Sequence, residues 1–431
     1  MRKLRRMSEA IEIAVREEGV WMEVRLLEQQ EHWKTRLLWE QVFTEDSKEF
    51  LDYYYFLKTR DNEIYVVEED GEIRSMLHLN PYRIQVENNW FDGKYIIAVA
   101  TDPSYRKRGY MGLLLRKSMQ AMYKEKQPFT FLMPASEAIY TPYDFRFVYD
   151  QNVWKYTAGE RKGQESLTSE DTSFSLEDAR ISDGTELAEF FKENYAEQFQ
   201  VYAIRDEQYY QTMLFEQQSE NGGIALLKRE GKIIGCFLYD DEDGMEIREP
   251  LYLEKYKNEF WDAVGKLCEK HGKKEAIVYA GIFEQQKAAS VEFQEKKPTI
   301  MVRILHLESL LKMLKTKAGE EIDCSFAVLD SILTQNSRVW KLQSNPVREA
   351  EEESTDRKED DFTENAENQI FIRETEDSEG VLTIAALTSF LFGYKSVEEI
   401  ACEEDVFLSE RLKEELRKIQ TLDKIYLNEI V

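Results

Sequence analysis

Short apolar runs, separated by acidic or glycine-containing turns, organise the first third of the chain. Met22-Glu23-Val24-Arg25-Leu26-Leu27 reads as a first strand. Ile64-Tyr65-Val66-Val67 and Ile73-Arg74-Ser75-Met76-Leu77 flank Glu68-Glu69-Asp70-Gly71, the pattern of a β-hairpin. Tyr95-Ile96-Ile97-Ala98-Val99-Ala100 is a continuous apolar run of central-strand type. Met111, Leu114, Leu115, Met119 and Met122 recur at helical spacing, and Phe129-Thr130-Phe131-Leu132-Met133 gives another strand before Pro134. Strand and helix signals therefore alternate over residues 22–160, and residues 1–21 form a charged, helix-compatible extension.

A second unit, residues 165–297, repeats the opening hairpin: Ile224-Ala225-Leu226-Leu227, then Lys228-Arg229-Glu230-Gly231, then Ile233-Ile234-Gly235-Cys236-Phe237. The shared layout points to an internal duplication. A third unit, residues 298–431, carries strand-like runs at Ile300–Leu305, Phe326–Asp330, Val339–Leu342 and Phe371–Arg373, with a helical run at Leu307–Leu314. Residues 349–367 hold ten acids against two bases and read as a charged loop inside that unit. The expected class is α/β (α+β), two mixed sheets flanked by helices followed by an α+β domain.

Composition narrows the partners. With 57 Lys and Arg against 84 Asp and Glu, the formal charge of the 431 residues is −27. That sign argues against nucleic acid or an anionic membrane and draws cations, polyamines and aminoglycosides included. Four cysteines without paired spacing suggest neither a zinc site nor a disulfide framework, and no metal is expected. No apolar stretch approaches the ~18 residues of a membrane span, and no signal peptide follows the basic start, so a soluble cytoplasmic protein is expected. Self-association is left open. His32, His78, His271 and His306 are scattered and fall in no nucleophile or ligand pattern.

The segment after the central strand carries the chemistry. Val99-Ala100-Thr101 ends the strand, and Asp102-Pro103-Ser104-Tyr105-Arg106-Lys107-Arg108-Gly109-Tyr110-Met111-Gly112 leads directly into a helix. A turn of this kind gathers backbone N–H groups at the positive end of a helix dipole, and Gly109 permits close backbone approach, which suits a pyrophosphate. Neither a P-loop nor a Rossmann pattern is present. Taken alone, Arg-x-x-Gly also describes an exposed basic turn.

In context the stretch resembles the acetyl-CoA loop of the Gcn5-related N-acetyltransferases (GNAT), whose signature is Q/R-x-x-G-x-G/A. Arg106 and Gly109 match, and Met111 stands where the family usually has Gly or Ala. A larger apolar residue there fits the enhanced-intracellular-survival (Eis) type. Ala135-Ser136-Glu137-Ala138-Ile139-Tyr140, followed by Tyr143-Asp144-Phe145-Arg146-Phe147, is similar to that type's segment after its fifth strand. So is the order of a catalytic GNAT domain, a second GNAT-like domain and a sterol-carrier-like domain.

The resemblance implies roles. Val99, Ala100 and Thr101 would pair with the pantetheine arm of acetyl-CoA. Arg106, Lys107, Arg108, Gly109, Tyr110, Met111 and Gly112 would hold its pyrophosphate, and Ser136 would touch the cofactor. Tyr140 would be the general acid and the carboxylate of Val431 the base, with Glu429 as the alternative base. Tyr53, Tyr54, Tyr55 and Phe56 are candidates for the acceptor pocket. Residues 249–256 of the second unit lack glycine, which implies a non-catalytic copy. The expected activity is acetyl transfer to a primary amine of a small cationic acceptor. The rival is a non-enzymatic binder of lipids or apolar ligands working through residues 300–431, with a vestigial GNAT half.

Overall fold

The computed structural model describes residues 15–17, 20–158, 174–241, 244–280, 291–344 and 368–429. The charged segment at 349–367 and the terminal Ile430 and Val431 lie outside them.

Alternating apolar residues build one large mixed sheet. Its strands are β1 (Val15–Glu17), β2 (Val20–Leu26), β3 (Glu63–Glu69), β4 (Glu72–Val86), β5 (Asn89–Thr101), β6 (Phe129–Leu132) and β7 (Arg146–Thr157). They continue as β8 (Ser175–Asp178), β9 (Val201–Ala203), β10 (Gly223–Arg229), β11 (Lys232–Asp240), β12 (Glu246–Tyr252), β13 (Glu275–Ala280) and β14 (Val291–Ile304). Where the sequence suggested helix before residue 22, Val15–Glu17 forms a strand paired antiparallel to β2. Among the described residues no helix is long and apolar enough to cross a membrane.

The two halves of the sheet repeat one another closely. The β3–β4 hairpin turns on Asp70 and Gly71 (φ 54° and 80°), and β10–β11 turns on Glu230 and Gly231 (φ 52° and 77°). Both are two-residue turns with positive φ at each position, the type that matches strand twist. In each half the next antiparallel pair carries a bulge. Leu77 faces both Ala98 and Val99, and Phe237 faces both Glu249 and Pro250. The bulged residues Ala98 and Glu249 have φ 51° and 46°. Each half then adds a helix, α3 (Tyr110–Lys124) or α7 (Lys257–Lys270), and a parallel strand, β6 or β13.

Strand exchange joins the halves. β14 pairs with β6 through Met301–Ile304 and with β7 over Val291–Val302, while β7 pairs on its other side with β13. β14 thus runs continuously across residue 298, where the sequence reading began its third unit.

The remaining helices are α1 (Arg36–Val42), α2 (Lys48–Phe56), α4 (Glu137–Tyr140), α5 (Gly184–Asn194) and α6 (Glu207–Ser219). After β14 the chain forms a separate five-stranded sheet and the buried helix Ile384–Leu391, which packs on β7 and β14. The last described segment returns to the large sheet. Ile425–Tyr426 pairs parallel to β9, which itself pairs with β4.

Candidate active site

The parallel pair β5–β6 is joined at Tyr95 and Phe131. Beyond that point the strands part, so the β6-facing edge of Ile96–Thr101 has no strand partner among the described residues. The Ala98 bulge lies in this opening. β5 then runs into a short turn at Pro103–Tyr105, where the Asp102 carboxylate accepts from Ser104 N at 2.8 Å. Lys107 and Gly109 take positive φ, 65° and 84°, and Gly109 is the N-cap of α3. No side chain caps α3, so the first-turn amides from Tyr110 to Gly112 point out of the helix end without an internal partner. A Cβ on Gly109 would meet nothing within 4 Å, so it is the positive φ rather than crowding that favours glycine at this cap.

The side chains around the loop are sorted by the acidic residues beneath it. Tyr110 donates to Glu69, and Arg108 pairs with Glu69 at 3.4 Å. The Tyr105 ring is sandwiched between guanidiniums, Arg74 at 4.3 Å and Arg108 at 4.4 Å. Arg106 Nε donates to Thr101 O at 3.3 Å, and Lys107 is exposed. Met111 is half-buried, while Gly112 is buried under Tyr143, whose hydroxyl leaves no room for a Cβ.

Tyr140 closes α4 and is near enough to Tyr95, where β5 and β6 part, to act on it electrostatically. Its ring is 8% exposed and lies 5.9 Å from Phe145, and its hydroxyl has no hydrogen-bond partner among the described residues. Burial pushes its pKa up to about 12, so it keeps its proton across the physiological range. Ser136, the N-cap of α4, is exposed.

A buried charged cluster stands behind β4 and β5. Arg205 pairs with Glu249 at 3.0 Å and Glu429 at 3.7 Å, and none of the three is more than 4% exposed. The Arg205 guanidinium is also caged by the rings of Tyr426 (4.5 Å), Phe191 (4.8 Å) and Tyr209 (5.0 Å). Tyr209 Oη donates to Glu429 Oε1 at 3.3 Å, and Asn428 N donates to Glu429 Oε2 at 3.0 Å. Desolvation raises the Glu429 pKa to about 7, with Arg205 opposing and Glu249 reinforcing the shift. Between this cluster and the strand opening lies Tyr95, whose hydroxyl feels Tyr140, Glu429 and Glu216 electrostatically.

Arg205, Tyr209 and Glu216 were not singled out in the sequence, where they sit on no recognisable motif. Glu249 entered there only as part of the glycine-free stretch 249–256. The aromatic run at 53–56 divides. Tyr54 is fully buried and bonded to His78 and Asn80, Tyr53 donates to Glu216 at 3.0 Å, Tyr55 bonds Thr35, and Phe56 faces solvent. In the second half of the sheet the equivalent bulge is filled by the Glu249–Arg205 pair, and its helix starts after Tyr256 without a left-handed glycine.

Residues 23–148 match the family model of the acetyltransferase (GNAT) domain, and residues 307–428 match that of the sterol carrier protein domain. The chain is a GNAT-type acetyltransferase with a C-terminal sterol carrier protein domain. Similar folds extend over nearly the whole chain. A probable N-acyltransferase from Enterococcus faecalis V583 is 16% identical, with TM-score 0.75 over 96% of this chain and 100% of its own. A GCN5-related N-acetyltransferase from Anabaena variabilis gives 15%, 0.73, 95% and 100%. Eis1 of Mycobacterium abscessus gives 12%, 0.67, 95% and 100%. No curated protein matched the chain by sequence.

Proposed function

We propose that this acetyltransferase moves the acetyl group of acetyl-CoA to a primary amine of a small cationic acceptor by direct attack in a ternary complex. The observation that carries the reading is the opened β5–β6 edge leading to the uncapped α3 N-terminus, with the protonated Tyr140 close enough to Tyr95 to act on it electrostatically. Backbone groups of Val99, Ala100 and Thr101 pair with the pantetheine arm and polarise the thioester carbonyl. The amides of Gly109, Tyr110, Met111 and Gly112 take the pyrophosphate, with positive charge from Arg106 and Lys107. Arg108 is held back by Glu69 and serves chiefly to brace the loop, and Ser136 lies at the rim near the cofactor.

The amine enters as an ammonium and gives up a proton to a carboxylate. Its nitrogen then attacks the acetyl carbon, the C–S bond breaks, Tyr140 protonates the departing thiolate, and the surplus proton on the new amide nitrogen passes to solvent, which returns one to Tyr140. The base is the carboxylate of Val431. A specific observation favours a second reading for this one role: Glu429 is buried beside the cluster and has a pKa of about 7, near the optimum for a general base. Screening amines for release of the CoA thiol tests the whole scheme. A protein that binds acetyl-CoA yet releases no thiol with any amine would sink it.

A further inference from the structure

Among the described residues nothing bonds the Tyr140 hydroxyl, so the ring is aimed by its backbone and by packing against Phe145. That backbone is slight. Helix α4 has four residues, a single turn, and a lone turn has little stability of its own. It runs straight into the turn Thr141–Tyr143, which ends on Asp144 in the left-handed region (φ 66°). Local bonds close the segment: Thr141 Oγ1 donates to Glu137 O at 3.0 Å, Asp144 N to Thr141 O at 3.1 Å, and Arg146 Nη1 to Thr141 O at 3.2 Å. They fix its shape but not its place against the sheet.

Its place is set by side chains. Tyr143 lies over the Arg116 guanidinium of α3 at 5.5 Å. Asp144 turns the other way, and its Oδ2 stands 3.6 Å from Nη2 of Arg303 on β14. Arg303 is fully buried and is held from its other side. Its Nη2 donates to Asp330 Oδ1 at 2.6 Å and its Nη1 to Ile304 O. Asp330 is itself fixed, since it accepts from Ile332 N at 3.0 Å, Leu333 N at 2.8 Å and Asn336 Nδ2 at 2.9 Å. It follows the strand Asp323–Leu329 of the five-stranded sheet, inside the stretch that matches the sterol carrier family. Asp144 has the looser hold on the guanidinium. Burial raises its pKa, Arg303 opposes the rise, Asp330 adds to it, and Arg146 opposes it again.

We propose that Arg303 is a positioning residue for Tyr140, carrying the geometry of the C-terminal domain through Asp144 to the proton donor. This rests on the reading of Tyr140 as the acid and adds what holds it in place. A buried ion pair stabilises a fold little more than apolar side chains of the same volume would. What it supplies is a fixed distance, and a misplacement of about 1 Å at a reacting group can cost on the order of 10²-fold in rate. The catalytic half then has its acid in register only while the domain from residue 307 onward is docked against β14.

Kinetics of the full-length protein with acetyl-CoA and spermidine, read by thiol release, test this. Arg303→Met strands Asp330 in the interior and threatens the fold. The deciding variant is therefore Asp144→Asn, nearly isosteric and at ease with a positive φ. Its kcat should fall about 10- to 100-fold, with KM for acetyl-CoA within about twofold of wild type and Tm close to it. On a Tyr140→Phe background the same change should cost nothing further, because residues acting through one group are not additive. Losses that multiply, or a KM for acetyl-CoA that rises as kcat falls, would mark a merely structural role and overturn the inference. So would a wild-type kcat in Asp144→Asn when Tyr140→Phe is impaired.

A second measurement needs no turnover and decides alone if spermidine is not acetylated. With tyrosine labelled with carbon-13 at Cζ, the Tyr140 resonance is the one missing from Tyr140→Phe. Asp144→Asn should shift or broaden it while the resonances of tyrosines remote from the turn hold. An unmoved resonance removes this inference and leaves the acid role of Tyr140 standing on the kinetics of Tyr140→Phe. A moved resonance with normal kcat in Tyr140→Phe removes the acid role instead, and leaves Arg303 placing a tyrosine that donates no proton.

Discussion

Ala98 and Glu249 occupy the same backbone bulge in the two halves of the sheet, one carrying a methyl group and the other a carboxylate. The methyl leaves the strand edge open, whereas the carboxylate is consumed by Arg205. Glu249 also repels Glu429, and this is testable through the pH profile. A base works ionised, so kcat/KM should rise with pH through about 7 if Glu429 is the titrating group. Glu249→Gln removes the repelling charge and leaves Arg205 to Glu429 alone, so that limb should move to lower pH. Breaking a buried pair costs about 3–5 kcal/mol, so the profile must be recorded well below the lowered Tm. A limb that stays where it was would assign the pH dependence to another group. Tyr140→Phe removes a hydroxyl that bonds to nothing among the described residues, so Tm should hold within about a degree or two while kcat falls about 10²–10⁴-fold. A Phe variant with normal kcat would reduce Tyr140 to packing.

Helix α3 and the turn after α4 meet at Gly112, where a Cβ would lie 2.5 Å from Tyr143 Oη and 3.0 Å from Arg116 Nη1. Both neighbours are ends of side chains, so Gly112→Ala should cost little stability but push Tyr143 aside. The 141–143 turn directly follows Tyr140, and the same helix end carries the amides proposed to hold the cofactor. The expected result is a several-fold rise in KM for acetyl-CoA with a fall in kcat, relieved when Tyr143→Phe is added. Wild-type kinetics in Gly112→Ala would show that the contact does not position the site. This element scale is also where the sequence was most legible. Hairpin turns, the run Tyr95–Ala100, the period of α3 and the Arg106–Gly109 loop all write their geometry into neighbouring residues. The bulge at Ala98 left no trace, because an alanine with φ 51° looks like any other alanine in an apolar strand. Arg205 and Glu216 were equally silent, since a buried charge is defined by partners that are distant in sequence.

On the scale of the whole molecule, the candidate site is assembled by long-range pairings that local pattern does not encode. β14 closes the catalytic half of the sheet from beyond residue 290, and the buried Arg303 on it pairs with Asp330 at 2.6 Å and lies 3.6 Å from Asp144, near Tyr140. The C-terminal segment is fixed just as firmly. Gln200 Oε1 accepts from Asp423 N and Lys424 N, both at 3.1 Å, Tyr426 stacks on Phe199 at 4.8 Å, and Asn428 bonds Gln151. These contacts hold the chain in register up to Glu429, two residues before Val431. A peptide tag added after Val431 should therefore leave the fold and Tm intact. It would, however, turn the proposed base into a neutral amide. Activity should collapse for that protein and persist for one tagged before Met1, with thiol release as the readout. Glu429→Gln, measured beside it, separates the two carboxylates. An inactive tagged enzyme with an active Glu429→Gln variant assigns the base to Val431, and the reverse pattern assigns it to Glu429. If both proteins turn over amines at the untagged rate, the C-terminal segment plays no part in proton transfer, and its docking on β9 serves only to seal the sheet.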